Sequence, residues 1–357
     1  MKQLTTVAIS GGIDSLVAAY LLKNQGHKVV GIHFITGYET DSVYSKSGKK
    51  TSNVSSESKI SHIADNLNID IQIVNCHKEF KQNVVDYFIQ SYLAGQTPNP
   101  CLVCNSLIKF GTILEFSRQL DASCLATGHY VRIKKDRGDR LHLLKGLDQK
   151  KDQSYFLAFL SQKQLARACF PLGSMTKTEV VEIAKEKGLD YLAKQESQDI
   201  CFIRDKRYGE FIAHQKGLTP QAGLIEDING NIIGKHRGLH LFTIGQRRGI
   251  NCPGLEPYYV VKIDKKRNRI IVGSKHNLIA SACRVIKINW IDKKPASPVK
   301  VYTRVRYRHE AALSTLFPGS DNTAVVRFED PQSSITPGQG AVFYQGEEVL
   351  GGGWIAG

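Results

Sequence analysis

Six residues near the N-terminus, Ser10-Gly11-Gly12-Ile13-Asp14-Ser15, have the composition of a phosphate-binding turn. A β-rich run, Val7 to Ile9, precedes them and an amphipathic stretch, Ser15 to Gln25 with Gly26 as its stop, follows, which sets the glycines between a strand and a helix. Glycine lets backbone amides turn inward, and a helix N-terminus adds its positive end; together they hold a phosphate. Ser10 and Ser15 can add hydroxyl donors, and Asp14 a carboxylate for Mg²⁺ beside a departing pyrophosphate. The lysine of the Walker pattern G-x-x-x-x-G-K-[ST] is absent, so the loop is of another kind.

Two cysteines offer a second chemistry. Cys104, within Asn99-Pro-Cys-Leu-Val-Cys-Asn105, and Cys201, within Gln198-Asp-Ile-Cys-Phe202, sit in polar, turn-prone surroundings that solvent and partners can reach. A thiolate near Lys109 or a helix N-terminus would have a lowered pKa and make a better nucleophile, as sulfur transfer requires. Cys101-x-x-Cys104 alone is compatible with redox, zinc or iron–sulfur chemistry. A structural zinc is disfavoured because the sequence has no second C-x-x-C or His pair at finger spacing. Cys76, Cys124 and Cys169 lie in apolar contexts and read as small buried hydrophobes.

These residues need a scaffold. Val29 to Phe34, Ile71 to Val74 and Leu125 to Thr127 are further strand-like runs, separated by helical stretches such as the one opening with the capping box Thr176-Lys-Thr-Glu179 and closing at Gly188. An α/β domain with a Rossmann-like parallel sheet follows for residues 1–205. Beyond it, short alternating runs such as Tyr258 to Ile263 and Arg269 to Val272, joined by a turn at Lys265 to Asn268, predict a small β-rich central domain, 206–278, and a closed C-terminal β-barrel, 279–357. In Lys300 to Arg308, strand alternation puts Lys300, Tyr302, Arg304, Arg306 and Arg308 on one face as a basic, aromatic strip. Ser42 to Ser58, rich in Ser, Lys and Gly, reads as a mobile loop.

Composition limits the alternatives. With 357 residues, 41% of them hydrophobic, the chain is too long and too mixed to be disordered or fibrous. It has no apolar run of about 20 residues and no signal-peptide pattern, which excludes a spanning helix and points to the cytoplasm. A net charge of +15 favours polyanionic partners, nucleic acid first among them.

The hexamer Ser-Gly-Gly-x-Asp-Ser resembles the loop of the PP-loop ATP pyrophosphatases. Further matches lie at Thr97-Pro-Asn-Pro100 with Cys104-Asn105 and Lys109-Phe110, at Thr127-Gly-His-Tyr130, and at Lys151-Asp-Gln-Ser-Tyr-Phe-Leu157. Others are Ser197-Gln-Asp-Ile-Cys-Phe202, Thr243-Ile-Gly-Gln-Arg-Arg-Gly249, Arg306-Tyr-Arg308, Pro337-Gly-Gln339 and Leu350-Gly-Gly-Gly353. With these segments the chain resembles the tRNA-specific 2-thiouridylases, the MnmA family, over nearly its whole length. The resemblance implies ATP-dependent 2-thiolation of the wobble uridine: the C2 oxygen is adenylated, and sulfur then arrives from a cysteine persulfide. It makes Cys104 the nucleophile and Cys201 the bearer of a persulfide delivered by an upstream sulfur-carrier protein. It assigns ATP to Ala8, Ile9, Ser10, Gly11, Gly12, Ile13, Asp14 and Ser15 with Phe34 and Gly128, and the target base to Asn99, Pro100 and Cys101. Contacts to the anticodon stem-loop of the tRNA fall to His129, Lys151, Asp152, Gln153, Arg306, Tyr307 and Gln339.

Cys101 departs from the family, where many members carry Asp. Three thiolates, Cys101, Cys104 and Cys201, would suit three irons of a [4Fe-4S] cluster, which gives a second route to the same product. The Ser42 to Ser58 stretch departs as well. Two readings of other classes are a PP-loop synthetase forming amides from small carboxylates, and a non-enzymatic RNA-binding protein.

Overall fold

Residues 3–39, 56–191, 200–203, 208–216, 221–254 and 256–357 are described by the computed structural model. They divide into two compact units. One takes residues 1–83, 101–202 and 347–349; the other takes 84–100, 203–346 and 350–357.

In the first unit the N-terminal pattern produces β1 (Leu4–Ala8), helix α1 (Ile13–Asn24) and β2 (Lys28–Ile35). Strands β3 (Asp70–Asn75) and β4 (Cys124–Ala126) follow, then a hairpin of β5 (Val131–Lys135) and β6 (Leu141–Lys145), then β7 (Ala168–Cys169). The sheet order is β3-β2-β1-β4-β7, with every pairing parallel. Four of the five β1 residues are buried, because a central parallel strand is covered on both faces and cannot alternate. β1 has β2 on one side and β4 on the other, so the turn leaving its carboxyl end lies where the strand order reverses, the usual ligand position in such sheets. Val7, Ile9, Leu16, Val17 and Val180 close the core around it.

The helix stops fall where glycine was read. Gly26 and Gly188 take φ of +87° and +62°, a left-handed conformation that costs other residues more. Thr176 and Glu179 make both bonds of the capping box ahead of helix Lys177–Glu186. Most of the Ser42 to Ser58 stretch lies outside the described residues, but Ser56 to Ser58 open a helix, Ser56–Leu67, and are not loop. The polar composition misled there because an amphipathic helix needs few apolar residues; Ile60, Ile63 and Leu67 are its buried positions.

The second unit holds two β assemblies. Strands β8 (Gly223–Asp227), β9 (Ile232–His236), β10 (Tyr259–Asp264) and β11 (Arg269–Gly273) form a sheet in the order β10-β11-β8-β9 over Ile225, Val260, Ile270 and Val272. The remaining strands are β12 (Ile279–Trp290), β13 (Val299–Arg304), β14 (Ala312–Pro318), β15 (Ala324–Ser333), β16 (Gly340–Gln345) and β17 (Glu348–Ile355). Their order is β12-β15-β14-β13-β16-β17, and β17 pairs back onto β12, which closes a six-stranded barrel. Residues 84–100 pack with this unit, although sequence order had grouped them with the N-terminal domain: Tyr87 lies against Trp354 and Thr97 N–H donates to Pro337 O at 2.9 Å.

The basic strip is shorter as a strand than its alternation suggested. Val301, Thr303 and Val305 are buried at 1, 1 and 3% exposure while Lys300 and Tyr302 are exposed, but β13 ends at Arg304. Arg304 Nε donates to His309 O at 2.9 Å and closes a turn, so Arg306 and Arg308 are exposed on a loop and not on the strand face. Among the described residues no helix is long and apolar enough to cross a membrane.

Candidate nucleotide and thiol sites

The glycine-rich turn is built by its own serines. Gly11 takes φ of +80°, open to glycine at little cost, and Gly12 is the extended residue ahead of α1. Ser10 Oγ accepts from Gly12 N–H at 3.3 Å and donates to Ser15 Oγ at 3.2 Å; Ser15 Oγ donates to Gly12 O at 2.8 Å and accepts from Ser10 N–H at 3.3 Å. The two hydroxyls thus sit on loop amides in the manner of anion oxygens. Ala8 and Ile9 are buried, and Ile9 N–H donates to Ile32 O, so any part they play in nucleotide binding is through backbone. Ile13 packs on the core, and Phe34 is half-buried near the carboxyl end of β2.

Asp14, in the first turn of α1, accepts from Tyr130 Oη at 2.8 Å and Lys177 Nζ at 2.7 Å, both on Oδ1. Gly128 lies directly against this corner. A Cβ there would stand 2.6 Å from the carbonyl carbon of Asp14 and 2.8 Å from its oxygen, a backbone contact that no side chain can yield to. The residues fit a nucleotide: positive helix end, glycine turn and a carboxylate for a cation converge at the sheet's switch point. Gly128→Ala should therefore displace the Asp14 peptide and raise the KM for ATP about tenfold, about 1.4 kcal/mol. An ATP titration of nucleotide turnover would read this, and an unaltered KM would refute the packing role.

His129 was expected at the tRNA surface; the structure buries it to 8% exposure. Its Nδ1 is 2.7 Å from Thr127 Oγ1 and its Nε2 is 3.4 Å from Lys109 Nζ. An ammonium only donates, so Nε2 is the acceptor and Nδ1 carries the proton toward Thr127. Burial, with the charge of Lys109, holds the imidazole well below its ordinary pKa, hence neutral. Asp152 is also interior: Oδ1 accepts from Gly146 N–H and Ser154 N–H and Oδ2 from Ser154 Oγ. Gln153 Oε1 accepts from Tyr130 N–H at 3.0 Å, and Lys151 is half-buried in the preceding turn. Lys151 N–H donates to Asp148 O at 3.1 Å, so all three residues have structural work in addition to any RNA contact.

The thiols lie in the same unit. Cys101 is in a short helix, Pro100–Val103, and Cys104 begins a widened helical segment, Cys104–Ile113, whose hydrogen bonds close over five residues instead of four. They are thus helical where turns had been expected. In that register residues five apart face the same way, which sets Lys109 on the side of Cys104; such widened turns recur at functional sites. Cys201 lies in a turn and is exposed as a residue. The Lys109 charge bears on all three thiols and favours their thiolates, as read from sequence. Burial outweighs it. Cys101 is pushed up to about 11 and Cys104 to about 12, and Cys201 is raised too, in each case by burial first. The expectation of lowered pKa values is corrected: Lys109 offsets a larger desolvation cost without reversing it. Beside Cys104, Asn105 is buried, and its Oδ1 has no hydrogen-bond partner among the described residues.

In the second unit, Asn99 is buried and its N–H donates to Tyr87 Oη at 3.3 Å. Gln339, 9% exposed, donates from Nε2 to Thr97 O and Pro98 O at 3.1 and 3.0 Å. It braces the strand of chain that leads into Asn99 and Pro100. Arg306 is exposed and donates from Nη2 to Ser334 O, and the Arg304 guanidinium lies 5.4 Å from the centre of the Tyr307 ring. Tyr130 and Lys177 at Asp14 were missed as site residues. Tyr130 stood inside a quoted motif, but Lys177 looked like any first residue of a capped helix.

A parallel sheet with a Ser-Gly-Gly-x-Asp-Ser turn at its switch point, followed by β assemblies, defines a PP-loop type of ATP-using protein. A model of the tRNA methyl transferase HUP domain matches residues 3–205, one of the tRNA methyl transferase PRC-barrel domain matches 209–274, and one of the aminomethyltransferase beta-barrel domain matches 280–355. A tRNA-specific 2-thiouridylase MnmA of Desulfosudis oleivorans is 48% identical over 352 residues, 99% of this chain and 94% of that protein. Proteins of the same name from Geobacter metallireducens and Vibrio cholerae are 42 and 41% identical, covering 99 and 98% of this chain and 97 and 95% of their own. The chain belongs to the tRNA-specific 2-thiouridylase family.

Proposed function

We propose that this chain replaces the 2-oxygen of the wobble uridine of tRNA with sulfur at the expense of ATP. What supports this most directly is that one compact unit carries both the Ser10 to Ser15 turn and the thiols of Cys104 and Cys201, with Lys109 acting electrostatically on both thiols. The C2 oxygen of uracil is a poor leaving group. Attack of that oxygen on the α-phosphorus expels pyrophosphate and converts the oxygen into part of AMP. Ser10 to Ser15, with Phe34 and Gly128, would hold the nucleotide, and Asp14 would carry Mg²⁺, which offsets charge on the departing pyrophosphate.

Cys201 bears a persulfide received from a sulfur-carrier protein. Its terminal sulfur attacks C2, Cys104 then attacks the inner sulfur, and the sulfur–sulfur bond of the persulfide breaks as AMP leaves. The products are 2-thiouridine, AMP and a Cys104–Cys201 disulfide, which a reductant must open before the next turnover. Asn99, Pro100 and Cys101 would receive the base, extruded at a cost of a few kcal/mol, roughly. Arg306 and Tyr307 would contact the anticodon stem-loop directly. His129, Asp152, Gln153 and Gln339 would serve it from behind, by fixing the segments that touch RNA.

Protein incubated with ATP, Mg²⁺, a persulfide donor and unmodified tRNA should yield thiolated uridine in a nucleoside digest read by mass spectrometry; none formed would refute the function. Phosphate contacts by a +15 chain make binding steeply salt-dependent: tRNA affinity should fall at least tenfold between about 50 and 200 mM salt. A filter-binding series flat over that range would count against the RNA interface.

A [4Fe-4S] cluster on Cys101, Cys104 and Cys201 is a second reading, favoured by the electrostatic influence of Cys201 on both Cys101 and Cys104. Anaerobically purified protein would then carry about four irons per chain. Full activity of iron-free Cys101→Ala would dismiss it.

A further inference from the structure

Lys177 is out of place by local rules. It is the first residue of a ten-residue helix, Lys177–Glu186, where the positive end of the helix disfavours a cation and favours Asp or Glu. It is nonetheless firmly set there: its N–H donates to Asp148 Oδ2 at 3.0 Å, and the Thr176–Glu179 capping box fixes the turn it starts from. Its side chain leaves the helix and reaches the phosphate-binding turn, where Nζ stands 2.7 Å from Asp14 Oδ1 and 6.0 Å from the centre of the Tyr130 ring. The ion pair is largely withdrawn from water, with side-chain exposures of 20% for Lys177 and 25% for Asp14.

A local conflict of this kind marks a residue kept for function. Asp14 alone would repel a triphosphate, and the glycine turn supplies no side-chain cation, since the lysine of a Walker loop is missing. Lys177 stands where that charge is needed, brought from a separate helix. We propose that Lys177 is a phosphate-binding residue of the nucleotide site, stored on Asp14 in the free protein and passed to the phosphate chain when ATP enters. The exchange keeps the lysine paired throughout, so its burial is never uncompensated. It also leaves the Asp14 carboxylate available to a cation arriving with the nucleotide. The inference rests on the reading of Ser10 to Ser15 as the ATP site.

Direct binding tests it without turnover. Calorimetric titrations of wild type, Lys177→Met and Lys177→Arg with ATP, inorganic pyrophosphate and adenosine separate phosphate contacts from those to the base and ribose. Lys177→Met should weaken ATP and pyrophosphate at least tenfold and leave adenosine within twofold, and Lys177→Arg should recover most of the loss. Equal ATP affinity in Lys177→Met and wild type, or an equal loss for adenosine, would overturn the assignment. Should Lys177→Met not fold, Lys177→Arg against Lys177→Gln gives the same comparison of charge. A wild-type protein that binds neither ATP nor pyrophosphate would instead refute the nucleotide site itself.

Discussion

Cys104→Ala and Cys201→Ala should each abolish thiolation, to below about one part in a thousand of wild-type product, while tRNA affinity stays within a few-fold. The two losses have different causes. Without Cys201 the sulfur has no carrier on the protein, so no persulfide forms, and mass spectrometry of the protein after exposure to a donor should show no added sulfur. Without Cys104 the persulfide forms on Cys201, but nothing cleaves it, so the added sulfur should persist. Both variants should still release pyrophosphate on tRNA, because neither thiol lies in the Ser10 to Ser15 turn. If either variant turns over normally with a persulfide donor, the assignment of that cysteine is wrong. The folded protein should tolerate both changes, since each removes a single sulfur atom and, as whole residues, Cys104 is only partly enclosed and Cys201 lies in an exposed turn, although both sulfurs are withdrawn from water.

Much of this was legible in sequence because it rests on local rules. The glycine stops at Gly26 and Gly188, the Thr176–Glu179 box and the hairpin around Lys265 to Asn268 each depend on a few neighbouring residues, and each formed as read. The strand run ahead of a Ser-Gly-Gly turn likewise fixes where the turn must sit. What was hidden depends on residues far apart in the chain. Lys177 meets Asp14 across 163 positions and Gln339 meets Pro98 across 241, and no periodicity connects them. Burial was hidden for the same reason. His129 and Asp152 are polar residues in polar-looking segments, and only the folded packing shows that their hydrogen bonds are spent inside the protein. The thiols illustrate how the sign of an effect can be lost: a nearby lysine was readable, but the desolvation it works against is a property of the fold.

That balance makes Lys109 the most consequential residue outside the cysteines. Lys109→Met should lower sulfur transfer about 100-fold at neutral pH, about 2.7 kcal/mol, while tRNA-dependent pyrophosphate release is unchanged. Cys104 already lies near 12 with the lysine present, so only a small thiolate fraction exists at neutral pH; removing the charge raises the pKa further and shrinks that fraction. Because the folded pKa exceeds any working pH, the rate should climb with pH across the neutral and mildly alkaline range without levelling, and the variant should follow the same slope from a lower start. The change at His129 runs the other way. Its pKa is depressed by burial first and by Lys109 second, so loss of the lysine relaxes the lesser cause and leaves the ring neutral. The variant therefore adds no new charge to the pocket, and its defect reports on the thiols. Iodoacetamide labelling of Cys104 across pH, followed by peptide mass spectrometry, measures the thiolate directly. Equal labelling rates in Lys109→Met and wild type would show that this lysine does not support the nucleophile, and the electrostatic account of the sulfur site would fail.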